Sequence, residues 1–159
     1  MTRSKKILAA SLVLLALFVV AAPIGPVPAF FIGGKQAPVP EVWPATADVD
    51  EIRLQVPGTP PRVVVIWLVQ IEGVIYVVGN VSSGWVQRIG EQATVAMRLN
   101  GSTYKLKATR TRENTAAIVS AYKDKYRADY PDIVAGFPSE QEALEKYAVF
   151  RLDPPLVNR

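Results

Sequence analysis

Ala93-Thr94-Val95-Ala96-Met97-Arg98-Leu99, then Asn100-Gly101, then Ser102 through Arg112 (STYKLKATRTR) is the stretch that decides the fold. Two alternating runs flank Asn-Gly, the pair preferred in a two-residue type I′ hairpin turn. That turn fixes a register. Leu99, Met97, Val95 and Ala93 face Ser102, Tyr104, Leu106 and Ala108, while Thr94 and Ala96 face Lys107 and Lys105. One face is apolar and the other basic and polar, and a slip of one residue would destroy the match.

Upstream, Arg62–Ile71 and Val74–Val81 flank Glu72-Gly73, a second hairpin signal. Its register sets Ile71 against Val74, Gln70 against Ile75, Val69 against Tyr76, Leu68 against Val77 and Trp67 against Val78. Both faces are largely apolar, so the strands are covered on two sides, as in a filled barrel or at a subunit interface. Glu51–Val56 alternates as a half-buried strand, and Pro57-Gly58-Thr59-Pro60-Pro61 is a turn cluster. Downstream, Asn114 is placed to cap a helix from Thr115 to about Ala128, with Ile118, Val119, Tyr122 and Tyr126 as its buried stripe. Ser139-Glu140-Gln141-Glu142 is a capping box opening a helix through about Lys146. Tyr147–Leu152 is a closing strand. The reading is a mainly β, α+β domain over residues 49–159.

The N-terminus is different in kind. Arg3, Lys5 and Lys6 precede an apolar run from Ile7 to Ala22, broken only by Ser11. The run is either a signal peptide or an uncleaved signal-anchor extended by the uncharged stretch to Gly34, so residues 1–34 are a signal or transmembrane segment. Both leave the basic end inside and the rest exported, with the membrane as partner through this helix in the anchored case. Residues 35–48, with Pro38, Pro40 and Pro44, read as a linker, and its Trp43 sits at the membrane surface or docks on the domain.

The chain carries a net charge of +4 and has neither Cys nor His. Three of those units are Arg3, Lys5 and Lys6, so the charge is a topology signal and not a nucleic-acid footprint. The missing Cys and His exclude thiolate nucleophiles, a Ser-His-Asp triad and Cys- or His-ligated metal. The scattered Asp124, Asp129 and Asp132 specify no calcium loop, and no metal is expected. Catalysis would need a borrowed cofactor.

Gly79-Asn80-Val81-Ser82-Ser83-Gly84-Trp85 follows a central strand and precedes one helical turn. Ser82, Ser83 and Arg88 could donate to a phosphate and Trp85 could stack on a planar ring; the plainer reading is a Gly/Ser loop with a core Trp. Lys105, Lys107, Arg110 and Arg112 form a basic stripe, read as the solvated face of an edge strand. Lys125 could reach a ligand, though a solvated lysine is the plainer reading.

The order Val65–Val69, Gly73–Val77, Gly84-Trp85, Ala93–Gly101 and Tyr104–Ala108 resembles the flavin-binding split-barrel superfamily, which includes pyridoxamine-phosphate-oxidase-like and deazaflavin-dependent nitroreductase-like proteins. The likeness extends to a branch with a Trp on the second strand and a Tyr-x-x-Lys-Tyr helix, here Tyr122, Lys125 and Tyr126. It covers roughly Glu51 to Tyr130. It implies a six-stranded antiparallel split β-barrel with flanking helices, a homodimer, and FMN or a deazaflavin near Trp67, Asn80, Ser82, Ser83, Trp85 and Arg88. Two functions follow. One is a membrane-anchored, exported flavin- or deazaflavin-dependent oxidoreductase. The other, favoured by the absence of a basic residue over Val77–Asn80, is a non-catalytic envelope module for binding or self-association.

Overall fold

The computed structural model describes residues 30–155. The apolar run Ile7–Ala22 lies outside the described residues, whereas residues 30–34 of the expected 1–34 segment are described and pack on the barrel, with Ile32 buried against Val63 and its carbonyl accepting from Arg98. Among the described residues no helix is long and apolar enough to cross a membrane.

The strands are β1 (Lys35–Gln36), β2 (Glu51–Val56), β3 (Arg62–Trp67), β4 (Val69–Ile71), β5 (Val74–Asn80), β6 (Gln92–Leu99), β7 (Ser102–Thr111) and β8 (Tyr147–Asp153). The helices are α1 (Gly84–Ile89), α2 (Thr115–Tyr126), α3 (Pro131–Ala135) and α4 (Glu140–Lys146). The sheet order is β3-β2-β6-β7-β8-β5-β4, with β1 added in parallel to β7. All the other pairings are antiparallel. The two ends of this order, β3 and β4, are halves of one strand interrupted at Leu68. The sheet therefore curls back on itself, open where β3 and β5 part, which fits an α+β split barrel.

Alternation builds the interior. Ile52, Leu54 and Val56 of β2 point in, while Glu51, Arg53 and Gln55 point out. They meet Met97, Leu106, Ile75, Val77 and Phe150 in the main core. Helix α1 adds Trp85, Val86 and Ile89 to that core. A second core lies outside the barrel, where Ile118, Tyr122 and Tyr126 of α2 cover Val69, Trp67 and Tyr76. The doubly apolar hairpin is thus explained within one chain: barrel interior on one face, α2 on the other.

The β6–β7 register is the expected one for all eight pairs, Leu99↔Ser102 through Gln92↔Thr109. The first hairpin matches for Ile71↔Val74, Gln70↔Ile75 and Val69↔Tyr76 only. Leu68–Val77 and Trp67–Val78 do not pair, because the strand turns away toward β2.

Four other expectations are corrected. Strand β7 is not an edge: β6 and β8 flank it, and its lysines line the outer face of an interior strand. Asn114 stands at the N-cap but makes no side-chain cap; it takes a left-handed φ of 54°, a conformation Asn tolerates, at the turn out of β7. Helix α3, with Pro131 in its first turn, was not expected. Residues 35–48 lie along the barrel, with Trp43 and Thr46 buried and Trp43 edge-on to Tyr104 at 4.9 Å. Of the two readings of Trp43, the structure has docking. The capping box is present as expected, Ser139 and Glu142 each accepting from the other's backbone N–H.

Candidate functional site

The site follows from the way the barrel opens. Beyond Leu68, β3 and β5 are no longer bonded to each other, and their polar groups need partners. Two tyrosines one helical turn apart on α2 supply them. The Tyr122 hydroxyl accepts from Val78 N–H at 3.1 Å and lies 2.9 Å from the Trp67 carbonyl and 3.2 Å from that of Tyr76. The Tyr126 hydroxyl accepts from Leu68 N–H at 3.0 Å and lies 2.6 Å from the Asp50 carbonyl and 2.9 Å from that of Leu68. Each phenol has one proton to give, so its two carbonyls share it. Burial pushes the Tyr122 hydroxyl well above its ordinary pKa, with Tyr126 adding and the Val78 N–H opposing. Burial likewise raises Tyr126. Both stay protonated at neutral pH and hold the split.

Lys125, on the same helix, is anchored and not solvated. Its Nζ donates to the carbonyls of Val49 at 2.7 Å, Thr46 at 2.9 Å and Leu68 at 3.1 Å. Partial burial holds it below the ordinary lysine pKa, with Asp50 opposing.

The splayed strands leave a cavity of about 350 Å³. Val65, Ile66 and Trp67 form one wall and Val78, Gly79 and Asn80 the other. Val119 and Tyr122 of α2, Ile133 of α3, Phe137 and Tyr147 close it, and Glu51 stands at its edge. Trp67 stacks on Tyr126, ring centroids 4.1 Å apart and planes at 12°, which fixes the indole as a rigid wall. The lining is apolar and aromatic with few polar groups, the character of a site for a small ring system.

The six residues implied by the resemblance do not converge on this cavity. Trp67 and Asn80 line it. Asn80 Oδ1 accepts from Ser82 N–H at 2.8 Å and Ser82 Oγ at 2.6 Å, closing the turn on itself. Ser83 is the N-cap of α1 without a side-chain cap. Trp85 is in the barrel core, 5.8 Å from Phe150 and packed so closely under Gly79 that a Cβ there would collide with its indole. Arg88 Nη1 donates to the carbonyls of Pro57 at 3.1 Å and Pro60 at 3.2 Å, pinning the proline loop.

Sequence reasoning passed over Arg62. Its Nε is buried with no hydrogen-bond partner, and its guanidinium lies beside Gly84, at the end of the turn that begins at Asn80. The signal was a basic residue heading an otherwise apolar strand directly after Pro60-Pro61. Among the described residues no group of His, Cys, Asp and Glu side chains could hold a metal ion.

No family model matches the chain, and no curated protein matches it. Similar solved structures include the following three. The heme storage protein HutZ from Vibrio cholerae matches at 14% identity and a TM-score of 0.46, over 68% of this chain and 83% of that one. A NimC/NimA family protein from Clostridium acetobutylicum matches at 17% identity and 0.42, over 65% and 73%. An F420 reductase matches at 16% identity and 0.46, over 74% and 97%.

Proposed function

We propose that the cavity between β3 and β5 receives the planar ring of a flavin- or deazaflavin-type cofactor, in a six-stranded split barrel that serves as an oxidoreductase. The observation that carries this reading is the cavity: a slot walled by Trp67, Tyr122, Phe137 and Tyr147, with the Asn80 amide at one side. Arg62 lies outside the cavity's lining, beside Gly84, and its buried, unpartnered Nε is a costly arrangement that an acidic group reaching out from the slot would relieve. When bound, such a cofactor supplies hydride or electron transfer. The chain's own residues position it: Trp67 packs on the ring, Asn80 bonds its edge, Arg62 meets its phosphate, and the helices exclude water. Anchoring through Ile7–Ala22, with the barrel outside the cytoplasm, and pairing with a second copy complete the reading. Protease accessibility in sealed vesicles and sedimentation of the purified protein test those parts.

Titration of the purified chain with FMN and with a deazaflavin decides the cofactor. The expected result is a shifted visible spectrum and quenched tryptophan fluorescence, both lost in Trp67→Ala. No change with either cofactor favours the second reading, a non-catalytic envelope module. Two observations support that alternative: Trp85 is used by the core, and the Arg88 guanidinium bonds the loop carbonyls.

A further inference from the structure

A second cavity, of about 370 Å³, adjoins the first, and the two share Glu51 and Val65 as lining residues. Its other walls include Arg53, Arg98, Asn100 and Gly101. The sheet register explains the juxtaposition. On the outer face Trp67 stands opposite Glu51, Val65 opposite Arg53, and Arg53 opposite Arg98. One row therefore runs across three strands from the apolar slot to two arginines, a span of roughly 10 Å at the ordinary strand spacing.

The two arginines are an unfavourable pair. Like charges directly opposite on neighbouring strands repel. Among the described residues neither is in an ion pair; Arg53 makes no side-chain hydrogen bond, and Arg98 Nη1 donates to the Ile32 carbonyl at 3.3 Å. Glu51, exposed at the junction, is the one carboxylate lining either cavity among the described residues. An anion between the guanidiniums relieves their repulsion and uses their free donors.

We infer that the two cavities form one bipartite site for an acidic, ring-bearing small molecule. Its apolar ring lies in the slot against Trp67, and its carboxylate or phosphate lies between Arg53 and Arg98. This rests on the reading of the slot as a ring site and adds a class of compound that takes the slot in the cofactor's place. Glu51 at the junction disfavours an acid close to the ring and favours one held away from it by a short chain.

The test uses the full chain in detergent micelles, with empty micelles as the blank, and two probes: 5-(2-naphthyl)pentanoate and its neutral amide. Calorimetry should give the acid an affinity about tenfold above the amide at low salt, as for a charge-assisted contact. The advantage should shrink as salt rises. Arg53→Gln should abolish the difference between acid and amide, whereas Arg53→Lys should retain part of it. Equal binding of both probes to the unaltered chain overturns the inference and leaves the slot standing. So does an acid preference that survives Arg53→Gln. If neither probe binds, the inference falls, while the slot reading stands or falls separately on the FMN and deazaflavin titration.

Discussion

The molecule contains two hairpins built from nearly the same instructions, with different outcomes. Both have a two-residue turn ending in Gly, at Glu72-Gly73 and Asn100-Gly101, and both turns have positive φ at each residue. The β6–β7 hairpin stays zipped for eight pairs. The β4–β5 hairpin is zipped for three and then opens. The difference lies in what stands beside the strands. Among the described residues no side chain bonds the backbone of β6 or β7, whereas α2 presents two hydroxyls where β3 and β5 separate. Side-chain hydrogen bonds can replace a stretch of ladder, and the gap they hold open becomes the cavity.

The strongest way to break the comparison is Tyr122→Phe combined with Tyr126→Phe. The Val78 and Leu68 N–H groups then lose their partners, and urea denaturation should show a loss of about 3–5 kcal/mol. A loss below about 1 kcal/mol would mean that the strands re-zip without the phenols and that the split has another cause. Gly79→Ala comes next, at about 1–3 kcal/mol, because its Cβ meets the Trp85 indole with no room to yield.

Alkaline pH probes the same hydroxyls. Below about pH 10, the ordinary tyrosine value, both folded and unfolded chains keep these protons. Above it the unfolded chain loses them first, so stability falls until the raised folded-state values are reached. Lys125, whose folded value is lowered, acts in the opposite sense just below its ordinary value. Melting temperatures from pH 9 to 11 in the native chain and Tyr122→Phe separate the two, and the variant should show the shallower fall. The smallest effect sharpens the turns. Glu72 has a φ of 50°, and Glu72→Gly should stabilise by about 0.5–1 kcal/mol in thermal melts, with no effect on the cavity.

Much of the barrel is legible in the chain. Alternation in β2, β6 and β7 names the inward faces, and the two turns fix the registers they begin. The buried stripe of α2 is legible too, at Ile118, Val119, Tyr122 and Tyr126. The site is less so. Tyr122 and Tyr126 read as apolar filling, since no pattern announces that a phenol will stand in for a strand. Lys125 reads as solvated because its three carbonyl partners come from residues 46, 49 and 68, distant in sequence. Trp85 and Arg88 sit in a phosphate-loop pattern, but one is taken by the core and the other by the proline loop.

By itself the sequence determined the antiparallel hairpins, the register of β6–β7 and the first three pairs of β4–β5, and the two outer helices that begin at 115 and 140. These depend on local rules: side-chain period, turn conformation and capping. Tertiary structure decided where the sheet opens, that residues 35–48 pack along it, and that Arg53 and Arg98 line a second cavity beside the slot. Those outcomes depend on which distant groups compete for the same backbone hydrogen bonds and the same buried space. That competition is settled only when α2 docks on the barrel.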